Sequence, residues 1–202
     1  MIQSTKQNTH RFVVQDVKNL TLICLIFNGN IVFPTRNARF LSFLSFFNEK
    51  LLKKGLNIIE PKSNTVLPTL KDAWLSGITD GEGSFTCSML SNSSAYRFRY
   101  ILTQKWDANK CILEHILKLF ESNLAAKGSV VPHSVQGVWE IRINGVKNCK
   151  GLFSYFDQFN LITKKRLSYL KWKSLYARIV NGDHLNELRP EIIRLAKQIN
   201  KQ

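Results

Sequence analysis

Glu82 is the residue with the most evident chemical potential. It sits between two glycines at the end of Asp72-Ala73-Trp74-Leu75-Ser76-Gly77-Ile78-Thr79-Asp80-Gly81-Glu82-Gly83-Ser84-Phe85. Ala73, Gly77 and Gly81 recur every four residues, so a helix here carries one stripe nearly free of side chains, along which a second helix backbone can approach closely. Glu82 emerges where that helix ends, beside the exposed carbonyl of Gly81. A carboxylate delivered to the seam of two close helices meets its counterpart from the partner helix, and such a pair can hold divalent ions on a scissile phosphate. An ordinary turn with solvated acids also fits Asp80-Gly81-Glu82-Gly83, and those four residues taken alone favour it.

The elements that must place Glu82 are legible around it. The spacing predicts a helix from about 69 to 81, then a strand over 84–90 that alternates Ser84, Thr86 and Ser88 with Phe85, Cys87 and Met89. A strand over 97–104 alternates Arg97 and Arg99 with Phe98, Tyr100 and Leu102, and the polar loop Ser91-Asn92-Ser93-Ser94 makes the two a hairpin. Asp107 is placed to cap a helix carrying Ile112, Ile116 and Leu119. A second strand pair spans 128–143, and helices follow at about 148–159, 164–180 and 190–201, with Asn181-Gly182 stopping the longest. One face of the strands is aromatic and aliphatic. The other carries Ser84, Thr86, Ser88, Arg97, Arg99, Glu140 and Arg142, groups that exchange hydrogen bonds with phosphates and base edges. A half-solvated antiparallel sheet shows the same alternation.

Charge narrows the partners. The chain has 202 residues with 29 Lys and Arg against 14 Asp and Glu, a net +15, and polyanions are the natural ligands of such a surface. The excess is spread: residues 1–66 carry 9 basic and 3 acidic groups, and 67–202 carry 20 and 11, which excludes a single basic tail. Forty-four per cent apolar residues fill an ordinary core. The apolar run 20–27 falls far short of the roughly 18 residues a membrane span needs. Four scattered cysteines without CxxC spacing, and four scattered histidines, argue against a zinc cluster or a disulfide framework.

The chain also resembles itself. Val17-Lys18-Asn19 and Val146-Lys147-Asn148, offset by 129 residues, each follow a strand-like run and precede an apolar series. Thr35-Arg36 and Thr163-Lys164-Lys165-Arg166 then open a helical pattern in each copy. This reads as a duplicated strand, helix, loop, helix unit. The segment 56–68, with Pro61 and Pro68, has the composition of a connector, so the expected division is residues 1–66, a partial first repeat with its linker, and 67–202, a complete repeat.

The stretch Trp74 to Phe85 resembles the motif helix and first strand of the LAGLIDADG homing endonucleases and their maturase relatives. Tyr100-Ile101-Leu102-Thr103-Gln104-Lys105 is similar to the end of that family's second strand, and Phe159-Asn160-Leu161-Ile162-Thr163-Lys164-Lys165-Arg166 to its loop and following helix. The motif departs from the name-giving pattern at Ser76, Ile78, Thr79, Gly81 and Glu82 but keeps an acid at the metal position. The resemblance implies an α+β fold with a saddle-shaped antiparallel sheet, helices on one face, lying in the major groove of double-stranded DNA. It implies a site-specific, intron-encoded, Mg²⁺-dependent endonuclease, or alternatively a non-catalytic maturase on intron RNA or a degenerate remnant. Carried over by position, Glu82 and the Gly81 carbonyl hold metal, Gln104 positions solvent, and Lys164 stabilises charge on the phosphate. Lys165 and Arg166 contact phosphate or are solvated, and Ala73, Gly77, Asp80 and Gly81 belong to the helix interface. The family's usual setting implies a mitochondrial or chloroplast genome. Residues 1–11 hold no long Arg/Ser-rich targeting segment, which suits organelle-encoded synthesis.

At the 129-residue offset, the counterpart of Glu82 falls before Met1. A full site therefore calls for a second repeat or a second chain, and a fragment of a longer intron-encoded frame is the favoured origin.

Overall fold

In the computed structural model, the described residues are 2–4, 10–91 and 93–201; part of the opening segment read for a targeting signal, and Asn92 of the polar loop, lie outside them. The chain divides between Leu67 and Pro68 into two compact units.

In the first unit, strands β1 (Ile2–Ser4) and β2 (His10–Phe12) pair antiparallel. Helix α1 (Val17–Phe27) starts where the Asp16 carboxylate accepts from the Asn19 amide at 2.9 Å. Pro34 opens α2 (Pro34–Leu52), where its missing N–H costs nothing. Cys24, Phe40, Leu44, Phe47, Leu51 and Ile59 form the core. The connector lies on the helices, with Asn48 exchanging two hydrogen bonds with Ile59 and Asn28 bridging Glu60 and Lys62.

The second unit begins with helix α3 (Trp74–Glu82), shorter at its start than the spacing predicted. Asp72 accepts from the Trp74 amide at 2.9 Å and fixes the turn before it. Strands β3 (Gly83–Met89) and β4 (Tyr96–Lys105) form the expected hairpin, followed by α4 (Lys110–Leu124), β5 (Gly128–Pro132) and β6 (Val138–Asn144). The sheet is antiparallel in the order β3-β4-β6-β5. Asp107 does not cap α4; its carboxylate accepts from Trp139 Nε1 at 2.7 Å. The helix expected over 148–159 is two, α5 (Val146–Lys150) and α6 (Leu152–Gln158), with Gly151 between them. A Cβ there would lie 2.0 Å from the Leu124 carbonyl oxygen, so the end of α4 approaches closely only because that position is glycine. Helices α7 (Lys165–Val180) and α8 (Arg189–Gln198) complete the unit, and Gly182 at φ +85° turns the chain after α7.

Register fixes the two sheet faces. Phe85 pairs with Tyr100, Tyr100 with Ile143, and Leu102 with Ile141; all five are buried beneath α4, α6 and α7. Trp172 of α7 stacks on Phe98 with centroids 4.4 Å apart and packs on Phe85 at 5.0 Å. The opposite face carries Thr86 beside Arg99, Ser88 beside Arg97, and Arg142 between Ile101 and Ser129. No helix among the described residues is long and apolar enough to cross a membrane.

Candidate functional site

One side of α3 is anchored and the other is bare. Leu75, Ser76 and Thr79 are buried. The Ser76 hydroxyl donates to the Phe159 carbonyl at 2.5 Å, Thr79 and Tyr100 share a hydrogen bond at 2.8 Å, and Tyr155 donates to the Asp72 carbonyl at 2.7 Å. Burial without a charged partner pushes the Tyr100 phenol well above its ordinary range, so it stays neutral. Ala73, Gly77 and Gly81 lie on the exposed side, and a Cβ on Gly77 or Gly81 would meet open space. The glycine stripe is thus a free surface along a rigidly held helix.

Asp80 belongs to the anchor. Its carboxylate accepts from the Ile162 amide at 2.9 Å, the Thr163 amide at 3.2 Å and the Thr163 hydroxyl at 2.5 Å. It ties α3 to the loop that opens α7, and a group so engaged is a brace. Glu82, the last helical residue, is exposed. Gly83 turns directly into β3, and a Cβ there would sit 2.6 Å from Thr79 Cγ2, so only glycine lets the strand leave the helix so tightly.

The brace brings basic residues to the same place. Lys165, the first residue of α7, donates from Nζ to the Gly83 carbonyl, one residue from Glu82. Lys164 precedes it and is exposed. Of the two lysines, Lys165 is the one drawn to the helix and strand junction; Arg166 is exposed. The offset that pairs Val17 with Val146 pairs Arg36 with Lys165. Gln104, half-buried, lies two residues past Leu102, the partner of Gly83, at the same end of the sheet as Glu82. Its register is that of the helix-covered face, opposite Trp139.

Ser84, Thr86, Ser88, Arg97 and Arg99 all lie on the polar face, exposed or half-buried. Glu140 is on that face but requires a correction: it is buried, with its carboxylate accepting from Arg142 Nε, and is not free for a ligand. Thr103 and Lys105 share the face and were missed, although carrying the alternation of Arg97 and Arg99 onward reaches both. Trp106, exposed at the end of β4 with φ +81°, has Lys105 Nζ 4.7 Å from its ring centroid; composition gave no hint of that.

Among the described residues no group of three or more His, Cys, Asp or Glu could hold a metal. The unit offers one carboxylate and a neighbouring carbonyl, part of an oxygen-ligand set that water, phosphate and a second carboxylate would complete. Burial pushes the Cys87 and Cys149 thiols up to about 12 and keeps these two protonated.

Residues 75–176 match the family model described as LAGLIDADG endonuclease. The chain is 34% identical over 207 residues to the probable intron-encoded endonuclease 4 of Neurospora crassa, covering 98% of this chain and 35% of that protein. It is 30% identical over 118 residues to an uncharacterised cox1 intron-2 protein of Schizosaccharomyces pombe, covering 58% of this chain and 34% of that one. The chain therefore spans about a third of the length of these relatives. The crystal structure of the I-LtrWI LAGLIDADG homing endonuclease bound to target DNA superposes with a TM-score of 0.79 at 19% identity, over 100% of this chain and 78% of that one. The motif helix from Leu75 onward, the hairpin and the basic loop fall within the matched residues, and the chain belongs to the LAGLIDADG endonuclease family.

Proposed function

We propose that this chain supplies one half-site of a site-specific double-strand DNA endonuclease. The observation that carries the reading is the junction at residues 82–83, where an exposed carboxylate leaves a braced helix beside a lysine. That junction borders a sheet face bearing Ser84, Thr86, Ser88, Arg97, Arg99 and Arg142. Laid along a major groove, the face offers donors to phosphates and base edges.

Glu82 and the Gly81 carbonyl would hold Mg²⁺, which when bound neutralises charge on the scissile phosphate. Lys165, with Lys164 beside it, places positive charge where the phosphate gains negative charge. Gln104 orients solvent near the site. Asp80 keeps the α7 lysines and Glu82 in register through the 162–163 loop. The bare stripe of Ala73, Gly77 and Gly81 accepts a second motif helix, from another repeat or another chain, bringing the second carboxylate.

The relative named for a cox1 intron supports an organelle-encoded, mitochondrial protein. The same cationic face also suits intron RNA, as a maturase would require.

Glu82→Gln decides between these readings. Paired with a second motif repeat and supplied with Mg²⁺, the chain cleaves both strands of duplex DNA, and Glu82→Gln abolishes double-strand cleavage while duplex affinity changes less than about twofold, because only a metal ligand is lost. Lys165→Ala loses more rate than Lys164→Ala. Undiminished cleavage by Glu82→Gln sinks the nuclease reading, and splicing rescue by that variant would favour the maturase.

A further inference from the structure

Glu140 is the only carboxylate on the polar sheet face among the described residues, and it is 3% exposed. Strand β6 is interior to the sheet: Glu140 lies between Thr103 of β4 and Val131 of β5, and Arg142 between Ile101 and Ser129. Both oxygens of the carboxylate face protein donors. Arg142 Nε donates to Oε1, and His133 Nε2 lies 3.9 Å from Oε2. The His133 Nδ1 accepts from the Val135 amide at 3.1 Å, so in the neutral ring the proton is on Nε2, facing Glu140.

A carboxylate held this way cannot accept from a cytosine amino group. What it does is hold Arg142, whose side chain stays 37% exposed. With Nε occupied, both Nη groups remain at the outer end of the guanidinium. Two parallel N–H donors in one plane match the O6 and N7 acceptors of guanine in the major groove. A free arginine loses rotamer freedom on binding, and one already fixed by a buried carboxylate has lost part of it in advance. The pair sums to zero charge, so it adds little to the salt-dependent attraction for phosphate.

We propose that Arg142 reads a guanine and that Glu140 is its positioning residue. This rests on the reading of the sheet face as a DNA surface. The test is selection of the full chain from a randomised duplex library at fixed salt, followed by titration of the selected duplex and its single-base variants. Wild-type protein enriches guanine at one position. Arg142→Ala, and Arg142→Lys, which keeps the charge but not the fork, lose that preference by roughly 5- to 100-fold and leave preferences elsewhere unchanged. Glu140→Ala weakens the same preference severalfold while affinity for unselected DNA holds or rises, because a negative charge is removed. Glu140→Gln, whose amide oxygen still accepts from Nε, retains most of the preference.

Unchanged guanine selection in both Arg142 variants overturns the proposal and leaves the DNA surface standing. So does a uniform loss of affinity across all sequences in Glu140→Ala and Glu140→Gln, the mark of a merely structural role. Wild-type protein with no salt-dependent affinity for duplex DNA overturns the surface itself, and this inference with it.

Discussion

Two helix pairs of similar sequence sit in the two units with opposite surroundings. Laid over one another at the 129-residue offset, Ile26, Phe27, Phe43 and Phe46 fall on Tyr155, Phe156, Trp172 and Leu175. In the second unit those four are at most 3% exposed; in the first their counterparts are 44% to 69% exposed. The cause is visible on the second unit's side. Phe156 packs against Phe85 and Tyr100, and Trp172 against Phe85 and Phe98, all from the hairpin of β3 and β4. The strands described in the first unit, β1 and β2, are three residues each, and the core against α1 and α2 gathers around Cys24, Phe40, Leu44, Phe47, Leu51 and Ile59. An amphipathic pattern records which face of a helix is meant to be covered and carries no information on whether the cover is there.

Truncating equivalent aromatics in the two units should therefore have unequal effects. Trp172→Ala is expected to destabilise the second unit by about 3–5 kcal/mol, the range for a large aromatic removed from a closed core. Phe43→Ala, at the same offset position, is expected to cost about 1 kcal/mol or less. Urea unfolding of both variants measures the contrast. Equal losses would mean that the face of α1 and α2 is covered in solution.

A smaller effect sharpens the same comparison at Gly151, whose offset counterpart is the exposed Leu22. Gly151→Ala drives a methyl into the Leu124 carbonyl and towards Ala126 Cβ, 3.2 Å away, and is expected to cost about 1–3 kcal/mol. Leu22→Ala should lie within about 0.5 kcal/mol of neutral. Thermal melts of the two variants at one pH suffice, and a neutral Gly151→Ala would show that α4 ends further from α5 than described.

How far the sequence reached follows the same physical division. Period-two alternation fixed which residues of β3, β4 and β6 share the polar face, because successive strand side chains must point to opposite sides. It could not give depth, so Glu140 read as a ligand group when it is buried under Arg142's guanidinium. The four-residue recurrence of Ala73, Gly77 and Gly81 placed the bare stripe and hence Glu82 at its end. The resemblance gave the charge-stabilising role to Lys164, whereas it is Lys165 whose Nζ donates to the Gly83 carbonyl. Lys164 and Lys165 differ by about 100° around α7, and the difference is set by Asp80 holding the loop before them. Helix boundaries failed where a tertiary contact intervened, at Gly151 through Leu124 and at Asp107 through Trp139.

The smallest expected effect concerns an ion-pair network of the second unit. Arg178 donates to Asp183 at 2.6 Å and to Glu191 at 2.9 Å, tying the end of α7 to α8; the offset counterpart of Arg178 is Glu49. Hydrogen bonds from Arg178 hold both carboxyls below their ordinary range. A carboxylate with a depressed folded-state pKa contributes stability above its unfolded value, near 4, and that contribution disappears as pH falls through the folded value. Wild-type protein should therefore lose stability from about pH 4 downward. Arg178→Ala should be less stable than wild type at pH 7 and converge on it in acid, because protonation removes what the arginine was holding. Amide exchange along α8, followed from pH 7 to pH 3 in both proteins, resolves the convergence locally. A gap that stays constant with pH would mean that Arg178 acts through packing of its alkyl stem and not through its charge.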